Sequence, residues 1–334
     1  MRPSLTVGIP VYNGMPYLPE SLESILRQTY TNFEVIVIND GSTDDSLEYL
    51  QSVHDHRLRV VSQPNHGITA ALNRLLAEAR TPWLVRLDAD DIACPNRLAV
   101  LTEAIQQYPD AGMFYSEAEH YGHARAISRI RTTRGTPKDL RSITKSGYLL
   151  SICHVTAALN ITKTQGLGGY RFNLCVEDLD LWWRMALGHD IVFLPRVTVS
   201  VRLHDASLCV RNLQNLSLNA LYVQYLLLSH LWHLSPLEYD TVAPYLMETV
   251  DPQRLRYRHQ MWLAGGELSS GQYYRALPHL ARALLKSPRH FVDRVCFAFR
   301  PTGMFPRGED PAQFRHRQQL LWHSDTHSLG EAIR

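Results

Sequence analysis

The chain has 334 residues, 45% hydrophobic and 20% charged, with a net charge of +2. Those proportions exclude a disordered chain, and so small a charge argues against nucleic acid as the main partner. The length suits one large domain or two ordinary ones. Charge is uneven: residues 251–334 hold 13 Lys and Arg against 7 Asp and Glu, the remainder 21 against 25. The five cysteines (Cys94, Cys153, Cys175, Cys209 and Cys296) include no C-x-x-C pair. That usage fits reduced thiols, not a disulfide framework or a zinc site. The N-terminus lacks the apolar core of a signal peptide, and no run reaches the roughly 18 apolar residues of a membrane span. A cytoplasmic protein is expected, with a peripheral place at the inner face of a membrane as an extension of that reading.

In chain order, Leu5–Val11, Phe33–Ile38, Leu58–Ser62, Trp83–Leu87 and Ala111–Tyr115 read as strands. Between them, Leu18, Leu22, Ile25 and Leu26 share a helical face, then Leu47, Leu50 and Val53, then Ile68, Ala71, Leu72, Leu75, Leu76 and Ala79. Continuously apolar strands alternating with helices predict a mostly parallel sheet flanked by helices on both faces. Ligands of such sheets bind beyond the carboxyl ends of the strands. Polar groups gather at four successive strand ends: Tyr12-Asn13, Asn39-Asp40-Gly41-Ser42, Asn65-His66-Gly67 and Asp88-Ala89-Asp90-Asp91. Residues 120–150 are basic and read as a loop. A helix is expected near Glu177–Leu187, a strand at Ile191–Leu194, and helices from about residue 208 onward, including one within Gly271–Pro288.

The segments VGIPVYNG, VIVINDGSTDDS, PNHGITAALNRLLAEA and VRLDADD, followed by VEDLDLWWR and VRLHDAS, resemble in kind and order the motifs of family-2 glycosyltransferases with the GT-A fold. The resemblance covers residues 4–207. It implies a GT-A domain over 1–207, with a nucleotide-binding half at 1–115 and an acceptor half at 116–207. Residues 208–334 form a helical C-terminal region outside it. The activity implied is inverting transfer of a sugar from a nucleotide-diphospho-sugar, of UDP type, to an acceptor hydroxyl. Polysaccharide or other glycan synthesis is the expected setting, with a glycan, a lipid-linked molecule or another hydroxyl compound as acceptor.

The chemistry asks for such residues on its own account. Breaking a sugar–phosphate bond leaves charge on the diphosphate, which Mn²⁺ or Mg²⁺ neutralises through oxygen ligands. The acceptor hydroxyl needs a base to take its proton. By resemblance, Asp88 contacts ribose or metal, Asp90 binds the metal, and His204 in the R-x-H-x-x-S stretch from Arg202 to Ser207 completes that site. Asp91 is read as a cap of the next turn. Asp40 accepts the base ring N–H. Pro10, Val11, Tyr12 and Asn13 line the base pocket, and Asn65, Gly67 and Asn73 approach the ribose or phosphates. Ala89 sits within the carboxylate motif. Arg86 either meets the diphosphate or forms a salt bridge. Asp178 is assigned as base and Glu177 as acceptor contact or orienting group, with Asp180 a competitor for the base. Gly166–Tyr170 resembles the loop that shapes the sugar and acceptor site.

Three other functions on related folds call for different residues. A sugar nucleotidyltransferase would carry a Gly- and Arg-rich first loop, and a nicotinamide enzyme a G-x-G-x-x-G turn; Ile9–Asn13 is neither. A non-catalytic nucleotide-binding or scaffold protein on the same fold would be expected to lack Asp90 or Asp178. Arg254, Arg256, Tyr257, Arg258 and Trp262 either pack their helices or bring residues 251–334 to a membrane surface.

Overall fold

Every residue of β1 (Leu5–Val11) is buried, as a strand covered on both faces must be. It pairs in parallel with β2 (Phe33–Asp40) and β4 (Trp83–Arg86), and β2 pairs in parallel with β3 (Leu58–Gln63). The computed structural model describes residues 4–122, 125–172, 174–204, 213–248, 250, 260–261, 264, 273–286, 288, 306–307 and 310–317. Successive side chains of β2 serve opposite faces, as the two-residue period of a strand requires. Val35 and Val37 join one core with α1 (Leu18–Leu26), α2 (Ser46–Ser52) and α4 (Arg97–Gln107). Ile36 and Ile38 join another with α3 (Ile68–Glu78) and α7 (Glu177–Gly188).

Among the described residues the sheet has nine strands, in the order β3-β2-β1-β4-β9-β6-β10-β5 with β7 paired to β6. Its remaining strands are β5 (Ile92–Ala93), β6 (Met113–Gly122), β7 (Arg125–Arg129), β9 (Ala158–Asn160) and β10 (Ile191–Arg202). The four strands of the first half are parallel, and β6 and β10 are parallel to each other. Antiparallel pairs enter where β9 joins β4 and β6, β7 joins β6, and β5 joins β10. β6 and β10 run well past the expected Tyr115 and Leu194. The ladder continues through the polar Glu117–Tyr121 against Val197–Arg202, with register shifts around Pro195-Arg196.

Within the expected loop at 120–150 lies α5 (Pro137–Lys145). Its first turn is closed by a capping box between Thr136 and Asp139, with Pro137 in the first turn. A short β8 (Leu149–Leu150), a 3₁₀ turn at His154–Thr156 and α6 (Ile161–Gly166) follow. Beyond the sheet come α8 (Leu213–Leu231), α9 (Tyr239–Met247) and α10 (Tyr273–Lys286). The two-residue β11 (Pro306–Arg307) pairs with β8 ahead of α11 (Pro311–Arg317).

Three polar residues of α8, Asn219, Gln224 and Ser229, are buried and hydrogen-bonded. Asn219 donates to the Leu174 carbonyl at 2.6 Å and Gln224 to the Gly147 carbonyl at 3.0 Å, while Ser229 donates to Tyr225 at 2.8 Å. Two of them therefore moor the helix to the α/β body. Among the described residues no helix is long and apolar enough to cross a membrane. Ser207, Cys209, Arg254, Arg256, Tyr257, Arg258, Trp262 and Cys296 lie outside the described residues.

Candidate active site

The carboxyl ends of β1 to β4 meet at one edge. After β1, Asn13 takes a φ of 53°, a left-handed conformation that asparagine tolerates better than most residues. Its Oδ1 accepts from the Thr43 N–H at 2.8 Å, and its own N–H donates to Ser42 Oγ at 3.0 Å. The Met15 N–H donates to Asp44 Oδ2 at 3.0 Å, so the loops after β1 and β2 form one piece. Pro10 and Val11 are buried beneath this edge, while Tyr12 stands 52% exposed above it.

Asp40 is buried, and its carboxylate is the anchor of the next loop. Oδ1 accepts from Gln63 Nε2 at 2.7 Å and the His66 N–H at 3.0 Å; Oδ2 accepts from the Gly67 N–H at 2.9 Å. An ionised carboxylate offers about four acceptor positions, so this geometry leaves one, on Oδ2. Asn65 Oδ1 also accepts from the Gly67 N–H, at 3.1 Å. Gly41, at φ +73°, lies so close to this loop that a Cβ would meet the Asn65 nitrogen at 2.7 Å. Asn73, expected near the ribose or phosphates, has another task. Its Nδ2 donates to the Tyr170 carbonyl at 2.8 Å and its Oδ1 accepts from the Tyr170 N–H at 3.0 Å. It clamps the Gly166–Tyr170 loop, where Gly169 (φ +62°) admits no Cβ because Asn73 Oδ1 would lie 2.6 Å from it.

At the end of β4, Arg86 is 1% exposed and bonds to Asp88 Oδ1 at 2.5 Å. Of the two roles open to it, the structure supplies the salt bridge. Burial opposes its charge, but Asp88, Tyr170 and Glu177 together more than offset that, and the guanidinium pKa is raised. Ser21 Oγ donates to the Asp88 carbonyl at 2.8 Å, and half-buried Ala89 packs on the core beneath α1. Arg97, fully buried, spans from the Arg86 carbonyl (2.7 Å) to the Val155 carbonyl (2.6 Å); desolvation pushes its pKa down to about 10. Asp90 Oδ2 lies 2.9 Å from His204 Nε2, and the His204 ring packs on Tyr17 at 4.6 Å.

Asp91, expected to cap the following turn, instead reaches across the fold and accepts the Arg202 N–H at 2.9 Å. Burial first, then Asp90 and Asp88, push its pKa well up. Arg202 also donates to the Asp90 carbonyl at 3.0 Å and to Glu20 at 2.6 Å. The end of β10 is thus fastened to the carboxylate segment, which places His204 beside Asp90.

The start of α7 brings the second pair of carboxylates. Asp178 is half-buried, with Oδ1 accepting its neighbour Leu179's N–H at 2.8 Å. Glu177 is buried; desolvation, then Asp178, push its pKa up to about 8. Asp180 is fully buried between Arg171 (2.6 and 2.9 Å) and Arg184 (2.6 and 3.0 Å). Both its oxygens are held by guanidinium groups.

Near both carboxylate groups lie Tyr170, the last residue of the Gly166–Tyr170 loop, and His154, which no sequence motif marks. The Tyr170 hydroxyl sits 2.8 Å from His154 Nε2, and burial raises its pKa; Arg86 opposes that shift, while Glu177, Asp178 and Asp88 add to it. Burial also raises the Cys153 thiol, reinforced by Asp91, Asp88 and Asp178. These couplings put the β4 carboxylates and the α7 carboxylates in one electrostatic neighbourhood. No spacing rule predicts His154, because its partners lie at positions 86, 170 and 177.

Among the described residues no group of three or more His, Cys, Asp or Glu is placed to hold a metal ion. Asp90 and His204 provide two converging donors. Mg²⁺ or Mn²⁺ commonly takes one or two protein ligands and completes its shell with phosphate oxygens and water, so this donor set fits a cation that arrives with a diphosphate.

Residues 6–163 match the family model described as glycosyl transferase family 2. Glycosyltransferase GlyG of Streptococcus pneumoniae is 37% identical over 130 residues, covering 37% of this chain and 43% of that protein. EpsE of Bacillus subtilis is 30% identical over 195 residues, covering 54% and 66%. The chain thus spans less than two thirds of either relative. Among solved structures, S. aureus TarS 1–349 in complex with UDP-GlcNAc superposes with a TM-score of 0.56 at 15% identity, covering 92% of this chain and 99% of that one. The mannosyltransferase PcManGT from Pyrobaculum calidifontis, in complex with GDP-Man and Mn²⁺, gives 0.50 at 19% identity, covering 96% and 85%. With the motifs quoted above in that family's order, residues 6–163 match the family-2 glycosyltransferases, and the fold is similar to that of solved glycosyltransferase structures.

Proposed function

We propose that this chain transfers a sugar, with inversion, from a UDP-type nucleotide-sugar to an acceptor hydroxyl. The observation that carries the reading is the meeting of two carboxylate groups around Tyr170 and Cys153. Asp88 approaches from the end of β4, with Asp90 two residues further along, and Glu177 and Asp178 approach from the start of α7. The first pair suits a leaving group and the second an incoming nucleophile.

On this reading Pro10, Val11, Tyr12 and Asn13 border the base, and the acceptor position left on Asp40 Oδ2 takes a ring N–H. Asn65, Gly67 and Asp88 lie towards the ribose and phosphates. Asn73 and Arg86 act one step back, by holding the Tyr170 loop and Asp88. Asp178 takes the acceptor proton as the hydroxyl attacks the anomeric carbon from the face opposite the diphosphate. Glu177 orients the acceptor. Asp90 and His204 are the residues that would hold Mn²⁺ or Mg²⁺, which when bound neutralises charge on the departing diphosphate.

The division into 1–207 and 208–334, a glycan or lipid-linked acceptor, and peripheral membrane contact through 251–334 complete the proposal. The test is calorimetry with UDP and GDP in the presence of Mn²⁺, followed by assays of donor hydrolysis and transfer for Asp178→Asn. Nucleotide binding with turnover that collapses in the variant supports the reading. Binding without turnover by the unsubstituted chain favours a scaffold protein.

A further inference from the structure

His154 is half-buried and in contact with both halves of the site. Its ring stands edge-on to Trp182 at 5.5 Å and is tilted against Tyr170 at 5.5 Å. Arg86 Nε, which can only donate, points at His154 Nε2 at 3.3 Å. Nε2 therefore carries the lone pair, and the Tyr170 hydroxyl at 2.8 Å donates to the same atom. A neutral imidazole must then bear its proton on Nδ1. Burial and the neighbouring Arg86 both oppose a second proton. Nδ1 faces Glu177 Oε1 at 3.7 Å, longer than a hydrogen bond, while Glu177 Oε2 is buried with no hydrogen-bond partner.

One ring thus touches the arginine that holds Asp88 and the glutamate that precedes Asp178. We propose that His154 is a positioning residue that joins the two halves of the site, fixing the Arg86–Asp88 pair through Nε2 and aiming the Glu177 carboxyl through Nδ1. This inference rests on the glycosyl-transfer reading above. The imidazole touches no reacting atom; it acts through its two neighbours. The two ring nitrogens make separable contributions, which an interior packing residue would not show.

Two isosteric substitutions separate them. In His154→Gln the side-chain carbonyl reaches the place of Nε2 and the Nδ1–H is lost. In His154→Asn the amide N–H remains near Nδ1 and the Nε2 acceptor is lost. The measurements are the Kd for UDP with Mn²⁺, donor KM and kcat, and the melting temperature of the full chain. His154→Asn is expected to weaken nucleotide binding and raise donor KM about tenfold, since a buried charged donor loses its acceptor. His154→Gln is expected to keep nucleotide affinity within about twofold and lower kcat about tenfold. Equal effects of both variants on KM and kcat, or lowered melting temperatures with unchanged kinetics of the folded protein, overturn the proposal. If the unsubstituted chain binds nucleotide and turns over while both variants match it, only the role of His154 falls. If it binds no nucleotide, the underlying glycosyl-transfer reading falls instead.

Discussion

Asn73 and Tyr170, 97 positions apart, are joined by two hydrogen bonds in which the Asn73 amide satisfies both the N–H and the C=O of Tyr170. That pair ties the helix after β3 to the loop carrying the buried hydroxyl of the site. Asn73→Ala leaves two half-buried backbone groups unpaired, at a cost of about 2 kcal/mol. Asn73→Asp is expected to be worse, since it sets an oxygen against the Tyr170 carbonyl. Urea unfolding of both variants checks this, and an Asp variant as stable as the unsubstituted chain would contradict it.

Asp178 and Asp180 make a sharper contrast. Asp180→Asn weakens the pairing of two guanidinium groups, Arg171 and Arg184, around a fully buried position. Breaking such a network costs about 3–5 kcal/mol. Asp178→Asn lies half-exposed at a helix start and is expected to change stability by less than about 1 kcal/mol while removing transfer. Paired melting curves and turnover assays test the assignment; equal loss of stability in the two variants would undo it.

The parallel strands were legible because burial on both faces writes them as continuous apolar runs, as in Leu5–Val11. The far halves of β6 and β10 were not, because Glu117, Glu119 and His120 look like loop residues and Pro195-Arg196 interrupts the pattern where the register shifts. α5 is masked by the basic residues around it, although Thr136-Pro137 and Asp139 mark a helix start. The carboxylates of the site follow from their motifs. The duties of Asn73, Asp91 and His154 do not, since each is set by a partner brought close by the tertiary fold.

The raised pKa of Glu177, about 8, carries a consequence for stability. Its carboxyl is neutral in the folded chain up to that pH, whereas in the unfolded chain it ionises near its ordinary value of about 4.3. Between the two values the unfolded state binds fewer protons, so stability falls as pH rises. Glu177→Gln has no such titration. Its advantage over the unsubstituted chain is expected to widen by roughly 1 kcal/mol per pH unit between pH 5 and 8, then level off. His154, depressed by burial, acts below about pH 6.5 and is shared by both proteins. Denaturant unfolding at four pH values decides, and a constant difference across that range would show that Glu177 is ionised in the fold.

Asp90 and His204 meet at 2.9 Å beside Arg202, which lies two residues before the histidine and is bound to both Asp90 and Asp91. If this pair holds a divalent cation, removing either donor must weaken the dependence of nucleotide binding on Mn²⁺ while leaving binding without metal largely unchanged. His204→Ala is expected to reduce the Mn²⁺ enhancement of UDP affinity by about tenfold or more, and Asp90→Asn by at least as much, because a carboxylate neutralises the cation and an amide does not. Calorimetric titrations with Mn²⁺ and with a chelator give both quantities. Enhancement that survives in both variants would move the cation to Asp88. A loss of metal-free affinity as well would mean that the pair contacts the diphosphate directly.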